Sequence, residues 1–478
     1  MRRIALLMAA FLALGACSPL TPPAPLPGPA TASPPKGLDY APWQAGQSVP
    51  VADPLYPQHG SVGIDVLHYG LDLTWEPAEK QLTGAATVRM RANTFLPKIT
   101  LDFSHTFTVE SVTVDGLTTA SSIADDNLTI PVALAKDRYA TLVIVYHGTP
   151  ATVPMPSHRS DAEGLGLTVT PDGSLWTMQE PYGAFTWYPV NDHPSDKALY
   201  DIAITVPEGW AGIASGTPAG QAGNTFKYTA TDPMASYLAT LAVGKYKKET
   251  AIGPHGIPLT YWYRPGIDDA MMPAIRKTPQ YLEWLEFRFG PYPFPSAGVV
   301  IVPSKSAMET QQLLTMGNFK MERASDLEDV LVHEYAHQWF GDAVGPSNWN
   351  ELWLNEGWAM YIESLWSNNR DKVSDKSWET WARQRDAELR AQFGPPGHPR
   401  ADSFAESNVY ICPALLLHQI RKNIGEESFY ALGKAWVSER RFSTQDRTSF
   451  IAFVNRHTGR DFTQLIHTWL DSPRTPPP

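Results

Sequence analysis

The sequence predicts an α+β chain of two folded domains, the first all-β and the second α-rich around a small sheet. Two observations carry this reading. Short β-branched and aromatic runs separated by turn signals occupy roughly 62–246, and long helical patterns occupy most of the chain after about Lys247. The size agrees: 478 residues, 43% of them hydrophobic and 11% aromatic, supply more than one core at roughly 100–200 residues per domain.

The elements follow in order. Met1-Arg2-Arg3 and the apolar run Ile4–Leu14 read as a secretion signal, since the run is too short to span a bilayer. It ends in Leu14-Gly15-Ala16-Cys17, which resembles the bacterial lipobox. On that reading residues 1–16 are removed, the Cys17 thiol is diacylated, and the protein is a membrane-anchored lipoprotein outside the cytoplasm. The alternative is an ordinary signal peptide with an incidental cysteine. With Cys17 lipidated, Cys412 has no partner for an intramolecular disulfide. Residues 17–50 are dominated by Pro, Ala, Ser and Gly and read as an extended tether. The β domain is placed at 51–247. Ile64–Trp75 nearly alternates, Thr87–Arg91, Ser111–Val114 and Thr141–Tyr146 are strand-like, and Asp115-Gly116 and Pro171-Asp172-Gly173 mark turns. The second domain, 248–478, has strand-like pieces at Leu259–Tyr263 and Val299–Val302. Its helical patterns lie at 272–289, 325–341, 355–370, 376–393, 408–423, 426–438 and 446–457. No later stretch is long and apolar enough to cross a membrane. A net charge of -11 excludes nucleic acid as the main partner, because phosphate binding needs a basic face.

Chemistry concentrates in the helix at 325–341, which Ser325 and Glu328 are expected to open as a capping box and Gly341 to end. Within it, His333-Glu334-Tyr335-Ala336-His337 puts two imidazoles on one face, four residues apart, where they can share one ion. Glu334 lies beside them, placed to reach a water on that ion. A catalytic zinc needs a third protein ligand and an open position. Glu356, with eighteen residues between it and His337, supplies the ligand from the start of an antiparallel helix.

Together with Gln338-Trp339-Phe340-Gly341-Asp342 and Trp353-Leu354-Asn355-Glu356-Gly357-Trp358-Ala359, this segment closely resembles the gluzincin aminopeptidases, the family of aminopeptidase N and the leukotriene hydrolase. Their hallmark is H-E-x-x-H, eighteen residues, then N-E-G-x-A. Pro189-Val190-Asn191-Asp192-His193-Pro194 with Lys197-Ala198 is similar to the family's P-x-x-D-x-P and downstream K-A, with His193 a loop residue rather than a ligand. Ser306-Ala307-Met308-Glu309-Thr310 resembles its G-x-M-E-N exopeptidase motif, and Val409-Tyr410 with Ala414-Leu415-Leu416 resembles the segment that carries its catalytic tyrosine.

The resemblance implies a saddle-like β domain packed on a thermolysin-like catalytic domain, without the long C-terminal helical domain of the large members. It also implies one zinc ion held by His333, His337 and Glu356, with Glu334 as general base and Tyr410 as oxyanion donor. Glu309 and Glu180 would bind the substrate α-amine beside Ala307 and Met308, making peptides the substrates and an aminopeptidase the activity. Glu363, one helical face along from Glu356, orients a ligand histidine or is a solvated carboxylate; Asp342 is a weaker candidate of the same kind. An endopeptidase, a carboxyl-side dipeptide cleaver, an epoxide hydrolase and a non-catalytic peptide binder are the rival readings. Two departures from the family pattern stand out. Cys412-Pro413 replaces the usual Lys-Gly after the tyrosine, near the expected helix start, and Ser306 and Thr310 replace the usual Gly and Asn around Glu309.

Overall fold

Strands begin where alternation begins. In Gln81–Ala92 every second side chain is buried, so one face of the strand meets a core and the other meets solvent. That strand lies inside an eight-stranded sheet of the computed structural model, which describes residues 39–319 and 322–477. The expected signal peptide 1–16, Cys17 and the tether up to residue 38 lie outside the described residues. Across the sheet the order is Thr217–Ala222, Thr225–Ala235, Lys197–Thr205, Ile64–Glu76, Gln81–Ala92, Tyr139–Gly148, Phe107–Val114 and Leu117–Thr119. Neighbours are antiparallel except Ile64–Glu76 with Lys197–Thr205, which run parallel with His68 opposite Leu199. Asp115 and Gly116, both at positive φ, make the tight turn into Leu117–Thr119. A four-stranded sheet (Ala211–Ala214, Leu241–Gly244, Leu175–Met178, Gly166–Val169) and a three-stranded one complete the β domain.

The last part of the expected tether is not extended. Ala41–Gly46 forms a 3₁₀ turn on the large sheet, with Trp43 under the Arg89 guanidinium at 4.0 Å. The Ser48 amide donates to Asp65 at 2.9 Å, and Gly46 lies so close to the Leu67 carbonyl that no Cβ would fit. Composition alone hid these contacts, because one tryptophan and one glycine anchor an otherwise polar and proline-rich stretch.

Strand Lys247–Ile252 pairs with Pro258–Tyr263 and, through it, with Ala297–Val302, Leu314–Gly317 and Ala307–Met308. Nine helices, among the described residues, pack beside this sheet. The pattern at 272–289 is interrupted at Arg276 and Lys277, giving α1 (Met272–Ile275) and α2 (Thr278–Phe289), because Pro279 at the start of α2 has no amide to continue a ladder. Helix α3 is Ala324–His337, α4 Leu352–Asp371, α5 Asp375–Phe393, α6 Asn408–Ile424, α7 Glu426–Arg440 and α8 Arg447–Thr458. The short α9 (Thr463–Asp471) has no counterpart among the expected helices, although Ile466, Trp469 and Leu470 bury one face of it.

Three further corrections concern the helices that matter most. At the start of α3 the cap is Asp326, whose carboxylate accepts the Arg323 amide at 3.0 Å, not the expected Ser325–Glu328 box. At its end the helix stops at His337, four residues before Gly341, and the chain turns so that the Gly341 amide reaches the Val344 carbonyl. Pro413 lies in the second turn of α6 rather than near its start. There it packs on Gly357 of α4, where a Cβ in place of the glycine hydrogen would stand 2.7 Å from the proline Cβ. The lost amide bond is offset by a close approach of α4 to α6, and the two helices carry Glu356 and Tyr410.

Candidate active site

Helix α3 presents His333, Glu334 and His337 to a cleft of about 380 Å³ between the domains. Each imidazole is held by its Nδ1. His333 Nδ1 lies 2.9 Å from Glu363 Oε2, and His337 Nδ1 lies 3.2 Å from the Phe340 carbonyl. With Nδ1–H donating to those acceptors, Nε2 of each ring is left as a lone-pair donor facing the cleft. Glu356 Oε2 on α4 sits 3.3 Å from His333 Nε2 and 3.4 Å from His337 Nε2. Those spans match the edge of a tetrahedron with metal–ligand bonds of about 2.0–2.2 Å, whose donor atoms stand about 3.3–3.5 Å apart. Two imidazole nitrogens and one carboxylate oxygen are also a donor set of the kind zinc prefers at catalytic sites. The residues fit the ion.

The field of the site favours positive charge. Burial opposes a charged imidazole at His333, yet Glu356 and Glu363 beside it outweigh that and hold it well above the usual histidine range. His337 is raised in the same way, against burial, by Glu356 and Glu309. Burial pushes Glu334 up to about 7, with the two imidazoles pulling the other way. A divalent cation between the same donors acts in the same sense as those imidazoles.

Glu309 follows strand Ala307–Met308 and is buried, and Glu180 follows strand Leu175–Met178. One carboxylate oxygen from each lies within 4.8 Å of one from Glu356 and of the other. Burial raises both carboxyls, and each has an oxygen, Oε1, that is buried without a hydrogen-bond partner. A buried, unpaired acceptor pair is a site for a cationic donor. The chain around Glu309 is tied down by hydrogen bonds. Thr310 Oγ1 bonds the Leu313 carbonyl and, at 2.8 Å, Thr315 Oγ1; Gln338 Nε2 at the end of α3 donates to the Glu309 carbonyl at 2.8 Å. Ala307 and Met308 line the cleft, but Met308 is buried in the core of the β domain, so its side chain serves mainly the domain contact.

The loop motif at 189–198 acts from behind. Asp192 accepts the Gly183 amide at 2.9 Å and the Ser236 hydroxyl at 2.7 Å, shaping the segment that follows Glu180. His193 bonds Ser195 Oγ at 2.7 Å, far from the metal donors in role, as a loop residue. Lys197 Nζ reaches the Asp342 carbonyl at 2.6 Å and ties the β domain to the turn after α3. The Asp342 carboxylate accepts from Gln338 Nε2 at 2.7 Å and bonds none of the three donor side chains, while its amide donates to the His337 carbonyl at 2.9 Å. Tyr410 stacks on His333 with ring centroids 6.0 Å apart.

Arg159 was missed by sequence reasoning. Its Nη1 donates to the Tyr410 hydroxyl at 2.9 Å from a loop of the β domain. Nothing in Ser157–Glu163 has catalytic spacing; only the i, i+2 pair Arg159 and Asp161 hinted at an ordered turn.

Comparison with known proteins identifies the family of both domains. Residues 274–469 match the peptidase family M1 domain and residues 66–238 the peptidase M1 N-terminal domain. The chain is 26% identical to an aminopeptidase N of Streptomyces lividans over 76% of its own length and 45% of that protein's. It is 24% identical to an aminopeptidase N of Lactobacillus delbrueckii subsp. lactis over 86% of its length and 51% of that protein's. It therefore spans about half the length of these curated relatives. An M1 zinc metallopeptidase from Deinococcus radiodurans superposes with a TM-score of 0.78 at 28% identity, over 90% of this chain and 99% of that one.

Proposed function

The chain belongs to peptidase family M1, and from that premise we propose that it is a zinc aminopeptidase that releases the N-terminal residue of peptides. One observation carries the reading: the Glu180–Glu309 pair lies against Glu356, a few ångströms from the metal donors. The α-nitrogen of a peptide is two bonds from its first carbonyl carbon. Carboxylates that capture an ammonium beside the metal donors therefore present the first peptide bond, and no other, for hydrolysis.

A zinc ion held by His333, His337 and Glu356 would polarise the scissile carbonyl and make water acidic enough to lose a proton near neutral pH. Glu334 accepts a proton from the attacking water and returns it to the leaving amine. Tyr410 donates to the oxyanion that develops on the scissile carbonyl. Glu363 and the Phe340 carbonyl keep the imidazoles in the tautomer that presents Nε2. The Deinococcus radiodurans relative was crystallised with a Tyr-Ser-Ala substrate, which supports peptides as the substrates here.

The test compares a free-amine aminoacyl substrate with its N-acetylated form, in wild type and in Glu309→Ala. Acetylation should abolish cleavage by the wild type. Glu309→Ala should cost several kcal/mol of transition-state stabilisation, roughly 2–5, because it removes one partner of a buried charge pair. Efficient cleavage of the acetylated substrate would replace the aminopeptidase with an endopeptidase.

The place of action is a second part of the proposal. The sequence Leu14-Gly15-Ala16-Cys17 supports a lipid anchor on Cys17 and work outside the cytoplasm. One acyl chain binds membranes only marginally, whereas diacylation anchors stably. Cys17→Ser should accordingly release the protein from the membrane fraction or stall its processing. Unchanged partitioning, with no lipid on the mature wild-type N-terminus by mass spectrometry, would end this part of the reading.

A further inference from the structure

Between strands Tyr139–Gly148 and Gly166–Val169 the β domain sends a loop across the cleft. On one side the Phe404 amide donates to the Pro156 carbonyl at 2.8 Å and the His158 amide to Glu406 Oε1 at 3.2 Å. On the other, Glu163 Oε2 accepts the Ser304 hydroxyl at 2.7 Å and the Lys305 amide at 3.1 Å, next to the strand that leads to Glu309. The loop thus bridges the segment before α6 and the segment before Glu309. At its middle is Arg159.

Every bond of that guanidinium has a direction. Asp161 takes Nε at 3.0 Å and Nη2 at 2.6 Å, a two-point grip that sets the plane of the fork. The two hydrogens of Nη1 then go to the Ala405 carbonyl at 3.0 Å and to the Tyr410 hydroxyl oxygen at 2.9 Å. A phenol has one hydrogen to give. With Arg159 donating to its oxygen, the Tyr410 O–H must point away from the guanidinium, and it has no acceptor among the described residues. The cation also draws electron density from the phenol oxygen, which makes the remaining O–H a stronger donor in a poorly hydrated cleft.

We propose that Arg159 is a positioning residue for Tyr410: the N-terminal domain aims and polarises the oxyanion donor that α6 of the catalytic domain carries. The proposal rests on the aminopeptidase reading above and adds to it a residue that acts through the tyrosine rather than on the substrate. It also gives the cleft-crossing loop a task, since Asp161, Glu163 and the Phe404 contact hold Arg159 in register with a helix of the other domain. Lysine could supply the charge but not the fork, so the two functions are separable.

The experiment is a double-mutant cycle. Arg159→Ala and Arg159→Lys are each made alone and with Tyr410→Phe, and kcat, KM, zinc content and affinity for a phosphinic dipeptide that mimics the tetrahedral intermediate are measured. Arg159→Ala should lower kcat roughly 10- to 100-fold, the worth of a hydrogen bond from a charged donor, with KM changed less than about threefold and zinc retained. Affinity for the phosphinic dipeptide should fall in step with kcat, while binding of the free amino-acid product stays put. Arg159→Lys should fall between wild type and Arg159→Ala. In the Tyr410→Phe background the Arg159 change should add less than about threefold, because the hydroxyl through which it acts is gone. Effects that multiply independently would overturn the proposal, as would a loss confined to KM or a weakening of product binding equal to that of the phosphinic dipeptide. If Arg159→Ala does not fold, Arg159→Lys carries the same cycle. A wild type inactive on free-amine substrates would overturn the aminopeptidase reading and this proposal with it; an active wild type with uncoupled variants overturns this proposal alone.

Discussion

Four carboxylates, Glu180, Glu309, Glu334 and Glu356, share one cleft, and their environments separate their tasks. Glu356 faces both Nε2 atoms and, although burial opposes its charge, the imidazoles hold it well below the usual carboxylate range, as suits a metal ligand. Glu334 accepts no hydrogen bond within the described protein and burial keeps it near neutrality, at about 7, as suits a group that must both take and give a proton. The Glu334→Gln variant isolates that task. It keeps the shape and the three donors, so zinc should remain near one per chain, and turnover should fall by roughly 10²–10⁴-fold. Full metal content with wild-type turnover would remove Glu334 from its role.

At the scale of elements, the site depends on how α3 is held at its end. Lys197, from a strand of the large sheet, places a buried ammonium on the Asp342 carbonyl just beyond α3, and burial lowers it to about 8, with Asp342 working the other way. Below pH 8 both folded and unfolded chains keep this proton, and the folded chain bears the full cost of a buried charge. Between about 8 and the ordinary value of 10.5 the unfolded chain still holds the proton that the folded chain has released, so this group makes stability rise with pH across that window. Wild type should therefore gain on Lys197→Met by up to about 3 kcal/mol between pH 7.5 and 10.5, read from urea denaturation at each pH. A difference that is flat or falls with pH would show that the ammonium is not buried as described. The Pro413–Gly357 contact belongs to the same scale: it lets α6 lie against α4 closely enough for Tyr410 to stack on His333.

For the whole molecule, the metal donors join α3 to α4 while the carboxylates opposite them come from the β domain and the small sheet. An ion that binds only the folded chain stabilises all of these at once, by about 4 kcal/mol when free zinc exceeds its Kd a thousandfold. Stripping zinc with a chelator should lower Tm, and adding zinc back should raise it in proportion to the logarithm of its free concentration. The same titration of Glu356→Ala should be nearly flat. A chelator-independent Tm in wild type would mean that the site holds no structural share of the ion's binding energy.

Much of this is legible in the residues alone. The spacing of His333 and His337 is set by helical geometry over a short stretch, and the strands at Ile64–Glu76 and Gln81–Ala92 announce themselves by alternation, which is equally local. What the sequence could not convey are relations between distant segments. The docking of 41–46 on the large sheet, the placing of Pro413 against Gly357 and the reach of Arg159 to Tyr410 join residues that no local periodicity connects. By itself the sequence determined that His333 and His337 share one helical face with Glu334 beside them, because helical spacing is a property of a few neighbouring residues. Tyr410, Glu309 and Glu180 were singled out instead by the resemblance of their motifs. Only the tertiary structure decided how those groups are aimed, because a hydrogen bond between residues 251 positions apart exists only once two domains have packed and excluded water between them.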